Sequence, residues 1–105
     1  MMGQVAVRLP DVFDILPEKE KQAILNMGIK KSIEERIKQL SEEVEIAQRN
    51  IRKFEEKYKM PWARFAQKEP KGWEEHEDYT DWKLWEDVLR ENLAIIDKLM
   101  ACLEK

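Results

Sequence analysis

The chain has 105 residues, of which 39% are charged, and its formal net charge is −3. That length suits one small domain, and the near-balanced charge excludes a globally basic nucleic-acid binder. Cys102 is the only cysteine, which rules out an intramolecular disulfide and fits a reducing, cytoplasmic setting.

The first predicted element is a short β-strand. Val5, Val7 and Leu9 alternate with Gln4, Ala6 and Arg8 before Pro10, a period-two pattern closed by a residue that lacks a ladder N–H. One strand alone is not stable, so it needs a second copy of the chain or another sheet edge. A frayed tail is the alternative. Met1 to Val5 carries no basic region ahead of an apolar stretch, so no secretory leader is expected. Nor does any apolar run approach the ~20 residues of a membrane span.

A helix is predicted from Pro17, a favoured first helical position, with Glu18 and Glu20 suiting its dipole. Ile24, Leu25 and Met27 give it apolar surface. Asn26-Met27-Gly28 reads as a stop, and Ser32 with Glu35 reads as a capping box for a second helix. A break at 28–32 is therefore expected. The alternative is one helix from 17 to 59, weakened at Gly28 by about 1 kcal/mol.

The next segment carries a heptad seam: Ile33, Ile37, Leu40, Val44, Ala47, Ile51, Phe54 and Tyr58, spaced alternately by four and three. Such a stripe must pack lengthwise against another helix. Glu34–Lys38, Glu45–Arg49 and Glu55–Lys59 are acid-before-base pairs at four-residue spacing along the wet face. Pro61 ends the helix. Pro61 to Ala66 can form a short helix with Trp62, Phe65 and Ala66 on one side, and Glu69-Pro70-Lys71-Gly72 is a loop. A last helix is predicted from Asp78 to Leu103. Its apolar face holds Trp82, Trp85, Val88, Leu89, Ile95, Ile96, Leu99 and Leu103. Asn92 interrupts that face, either as a register-setting buried amide or as a boundary residue.

Few residues suit catalysis. His76 lies among Glu75, Glu77 and Asp78, but sequence neighbours do not converge on one centre and there is no second histidine. The reading is a solvated helix entry, with no metal and no cofactor. No nucleophile–base motif and no glycine-rich phosphate loop is present, so the chain is not expected to be an enzyme. The four tryptophans are more informative. Trp62, Trp73, Trp82 and Trp85 cluster in the second half of the chain, beside the acidic run Glu74 to Asp87, which has seven acids against one lysine. Aromatic anchors amid acids suit a surface for a basic protein. The alternative is a hydrophobic core, the stronger reading for Trp82 and Trp85.

The run Phe54-Glu55-Glu56-Lys57-Tyr58-Lys59-Met60-Pro61-Trp62-Ala63-Arg64-Phe65 and the later Glu75-His76-Glu77-Asp78-Tyr79-Thr80-Asp81-Trp82 resemble two blocks of small archaeal and bacterial antitoxins. Those chains carry a FEEKYGM-type block after a long charged helix, then a HED-x-x-x-W block that opens a final helix. The resemblance covers residues 33–103. It departs at Lys59, where the family usually has glycine, and at Pro61, where it often has serine or threonine. The helix end is then expected to form through the proline rather than a left-handed cap. The resemblance implies that the C-terminal half wraps and blocks a toxin, commonly an RNA-cleaving one. Residues 4–9 are similar to the opening strand of ribbon–helix–helix repressors. By that analogy Gln4 and Arg8 face DNA bases. Asp11, Asp14, Glu18 and Glu20 weaken the basic balance there, and DNA affinity depends on phosphate neutralisation.

The combined expectation is an all-α protein, a long antiparallel, coiled-coil-like helical hairpin with a short N-terminal β-strand. Residues 1–31 would form a dimerisation or DNA-binding element and residues 32–105 the partner-binding hairpin. The expected function is that of an antitoxin-like, non-catalytic binding protein, a dimer or higher oligomer that neutralises a basic cognate toxin and autoregulates its promoter. Trp62, Phe65, Trp73, Glu75, Asp78, Tyr79 and Asp81 are the candidate partner-binding residues, with Gln4 and Arg8 the candidates for operator DNA. The rivals are a structural coiled-coil or assembly module without a toxin, and a simple transcriptional repressor.

Overall fold

The structure, a computed structural model, describes residues 15–104. The predicted strand at residues 4–9, with Gln4 and Arg8, lies outside them. The described residues form three helices: α1 (Glu18–Tyr58), α2 (Trp62–Phe65) and α3 (Gly72–Leu103). None is long and apolar enough to cross a membrane. The chain divides into two compact units, Met1–Ser32 and Ile33–Lys105.

In the first unit the Pro17 carbonyl accepts the opening hydrogen bonds from the Glu20 and Lys21 amides, at 2.9 and 3.1 Å. Glu18 and Glu20 occupy the positive end of the helix dipole. The expected break at 28–32 is absent. The helix runs through Gly28, Ser32 and Glu35, so the capping box caps nothing. Gly28 does not take the positive φ of a helix stop. A helical glycine costs only about 1 kcal/mol, and no proline follows to enforce an end. The apolar residues Ile24, Leu25, Met27 and Ile29 are all exposed.

The second unit contains the seam. Leu40, Val44, Ala47 and Ile51 are buried, and Ile33, Ile37, Phe54 and Tyr58 at its two ends are half-buried. Two cross-helix contacts fix the direction of packing. Lys57 meets Asp78, while Asn92 meets Leu40 and Glu43. As numbers rise on one helix they fall on the other, so this stretch of α1 and α3 form an antiparallel hairpin. Asn92 is itself buried. Its amide donates to Glu43 Oε1 at 3.0 Å and lies 3.5 Å from the Leu40 carbonyl. Of the two readings open for Asn92, this is the buried amide. A polar group that finds partners in only one alignment penalises a helix slip.

The junction after α1 corrects one expectation. Lys59 takes a left-handed φ of 57°, so the helix ends in a left-handed cap as well as before a proline. Glycine would adopt this conformation without steric cost, whereas lysine holds its Cβ against the backbone. Pro61, extended at φ −76° and ψ 163°, then leads into α2. Its carbonyl accepts from the Arg64 and Phe65 amides at 3.1 Å. α3 begins at Gly72, six residues before the expected Asp78. Lys71 is its extended N-cap, and Glu74 and Glu75 in the first turn favour the early start.

None of Glu34–Lys38, Glu45–Arg49 and Glu55–Lys59 is among the ion pairs of the described residues. Exposed long side chains gain little by pairing in water, and Lys59 has left the helical path.

Leu40→Ala or Ile51→Ala should cost about 2–4 kcal/mol in denaturant unfolding. A loss under about 0.5 kcal/mol would mean that the seam is not buried in solution. Lys59→Gly should instead stabilise the chain by about 0.5–1 kcal/mol, read by the same method. Destabilisation would mean that the lysine side chain holds the turn.

Candidate functional site

Trp82 is fully buried, at 0% exposure, in an aromatic cluster drawn from all three helices. Phe54 of α1 stacks on it with centroids 5.4 Å apart and planes 14° apart, and Tyr58 lies at 6.1 Å. From α2, Phe65 approaches to 4.8 Å and Trp62 to 5.5 Å. Tyr79, one turn before Trp82, meets Trp62 at 5.2 Å. These offset and tilted geometries are the ones that ring quadrupoles favour. The Trp82 indole N–H donates to Glu86 Oε2 at 3.2 Å, so the buried ring leaves no donor unpaired.

The candidate partner-binding residues therefore divide. Phe65 is buried, and Trp62 and Tyr79 are half-buried against the cluster. Trp73 is different: it lies in the first turn of α3 with its side chain in solvent, at 77% exposure. Trp85 is half-buried and packs on the core.

The acids divide in the same way. Asp78 accepts from Lys57 Nζ at 2.6 Å and from the Tyr58 hydroxyl at 2.5 Å. Burial pushes its carboxyl up, but these two donors outweigh burial and hold it below the usual range. Burial, then the bond to Asp78, pushes the Tyr58 hydroxyl up to about 12. The hydrogen bond to Asp78 raises Lys57 despite some desolvation. Glu75 pairs with Lys68 at 3.5 Å, and the Lys68 ammonium lies 5.5 Å from the Phe65 ring and 5.9 Å from that of Tyr58. Glu86 is raised by burial, which outweighs the bond from Trp82; Glu55 and Asp87 add to the rise. Asp87 is lowered, chiefly by the bond from Lys83. Glu77 and Asp81 are exposed and make no ion pair with described residues.

Sequence reasoning missed the roles of Lys57 and Lys68. Lys57 lies 21 residues from Asp78, and no local spacing rule reaches that far. His76 is exposed. Among the described residues no group of three or more His, Cys, Asp or Glu side chains is arranged to hold a metal ion. On α3, Trp73, His76, Glu77, Thr80 and Asp81 line an open groove of about 310 Å³. A second open groove, about 360 Å³, has Ile51 and Leu89 between the polar side chains of Gln48, Arg52 and Glu55.

Comparison with protein-family models, with curated proteins and with solved structures finds no match for this chain.

The Tyr58–Asp78–Lys57 contact makes stability depend on pH at both ends. Asp78 is depressed in the fold, so its contribution is complete above the unfolded carboxyl value and is lost as pH falls through the folded one. Tyr58 is raised, so its contribution is complete below about 10, the unfolded value, and is lost as pH rises towards about 12. Glu86, raised by burial, has the sign opposite to Asp78 and softens the acid limb. Tyr58→Phe should cost about 1–2 kcal/mol at neutral pH and flatten the alkaline limb. Asp78→Asn should flatten the acid limb. Limbs identical to wild type in urea unfolding across pH would show that the contact does not form in solution.

Proposed function

We propose that this chain is an antitoxin-like, non-catalytic binding protein that neutralises a basic partner, an RNA-cleaving one, by occupancy. The observation that carries this reading is Trp73: its indole is 77% exposed on a helix that buries its other aromatic residues at least in part. Exposing a tryptophan forfeits a large apolar burial, which a binding partner restores. The block resemblance at residues 54–65 and 75–82 supports the same class. Two rivals differ in what they bind. Ile24, Leu25, Met27 and Ile29, all exposed, favour a structural assembly module closed by a second copy. Operator binding through Gln4 and Arg8 belongs to the proposal as an additional, autoregulatory role; alone it would make the chain a simple repressor.

The test is affinity purification of the tagged chain from its native host, with mass spectrometry of the co-purified proteins and an RNA-cleavage assay. A basic ribonuclease should co-purify, silent in the complex and active once separated. Recovery of the chain as a homo-oligomer alone would overturn the toxin reading in favour of the assembly module. Arg8→Ala should weaken retardation of the chain's own promoter, with a steep salt dependence. No retardation at low salt would remove the autoregulatory role and leave toxin binding intact.

A further inference from the structure

Trp73 is not the only apolar side chain that α3 leaves in solvent. Leu84, eleven residues later, is 55% exposed. Eleven residues are three turns of an α-helix, so the two lie on one face about 16 Å apart along the axis. Between them, at steps of four and three, lie Glu77 and Thr80, with Asp81 beside Thr80. Glu77 and Asp81 have no cation among the described residues, although Glu75 and Asp78 on the same helix are each paired to a lysine. The Thr80 hydroxyl is turned back onto its own helix, donating to the His76 carbonyl at 3.2 Å. The groove at this face is lined by Trp73, His76, Glu77, Thr80 and Asp81.

An apolar anchor at each end and two unpaired carboxylates between them describe half of a helix–helix interface. The 4-3-4 spacing of Trp73, Glu77, Thr80 and Leu84 is that of a seam which another helix can follow. Trp73 offers an indole face to a guanidinium or an aliphatic side chain, and Leu84 offers an aliphatic contact. Glu77 and Asp81 call for arginine or lysine opposite them. We propose that the exposed strip from Trp73 to Leu84 is the docking surface for a basic amphipathic helix of a partner protein. Such a helix carries apolar residues three turns apart and arginine or lysine on the turns between. This rests on the reading of the chain as a binder of a basic protein and narrows the contact to one face of α3. Phe65, Trp62 and Tyr79 are occupied by the chain's own packing. Charge complementarity selects a basic helix over the same strip of a second copy, which would bring acids against acids.

The probe is a synthetic amphipathic helical peptide with leucines eleven residues apart and two arginines between them. The control peptide has glutamate in place of arginine. Titration calorimetry uses the full chain as wild type, Trp73→Ala, Leu84→Ala and the pair Glu77→Lys with Asp81→Lys. All four substituted residues are exposed, so circular dichroism should report unchanged helicity. Wild type should bind the arginine peptide and not the glutamate peptide. Each variant should lose about tenfold or more in affinity. The charge-reversed pair should also lose the salt dependence that wild type displays. Absence of wild-type binding, or equal binding by Trp73→Ala and wild type, overturns the proposal. A fall in oligomeric state on Trp73→Ala, read by light scattering, overturns it in favour of a second copy. The same variants in the ribonuclease assay separate the two claims. If they silence the ribonuclease as well as wild type does, the strip is wrong and the antitoxin reading stands. If they lose the peptide and no ribonuclease co-purifies, the strip stands and the antitoxin reading falls.

Discussion

The packing around Trp82 organises the second unit. Its ring is in contact range of Phe54 and Tyr58 from α1 and of Trp62 and Phe65 from α2. α2 is a single turn and has no stability of its own, because helix nucleation costs more than one turn returns. It persists because Phe65 and Trp62 are held against the indole. The left-handed turn at Lys59 has the same dependence: its steric cost is offset by aromatic area buried on both sides of it. A small chain with few central apolar residues gains much of its cohesion from such large side chains, each worth several kcal/mol of burial.

Around that cluster the charges are arranged by burial rather than by sequence distance. Asp78 lies at the edge of the aromatic packing, where desolvation makes an unpaired carboxylate costly. Lys57 and Tyr58, adjacent on the last turn of α1, both donate to it. Lys68 extends over the Tyr58 and Phe65 rings to reach Glu75. One side of the first turns of α3 is thereby neutralised by the chain's own cations. The side bearing Glu77 and Asp81 is not, and Trp73 stands on that side. Among the described residues, the chain's own cations thus neutralise one face of these turns and leave the charge of the other open.

The hairpin's alignment depends on a polar contact. Leu40, Val44, Ala47 and Ile51 form an aliphatic seam, and such contacts are non-directional, so they specify register less sharply than a polar contact does. Asn92 supplies the polar contact. In the observed alignment its amide meets Glu43 and the Leu40 carbonyl, and a slipped helix would bury it against hydrocarbon. Such a residue raises the cost of the alternatives more than it lowers the energy of the native state.

The heptad spacing from Ile33 to Tyr58 determined by itself that this stretch is helical and that its stripe is covered, since periodicity is a local property and burial follows from it. The proline at 61 and the loop before Gly72 were legible for the same reason. Other outcomes depend on competition between local signals and tertiary gain. Gly28 and the Ser32–Glu35 pair looked like a boundary, yet a modest helix penalty with no proline behind it did not break α1. Trp73, Trp82 and Trp85 each have an acid next to them in sequence, so local sequence could not separate Trp82 at the centre of a cluster from Trp73 in water. The separation depends on which side of α3 meets α1 and α2. That in turn depends on contacts such as Lys57 with Asp78 and Leu40 with Asn92, more than twenty and more than fifty residues apart along the chain. No periodicity carries information over such separations; only the closed hairpin brings those residues together.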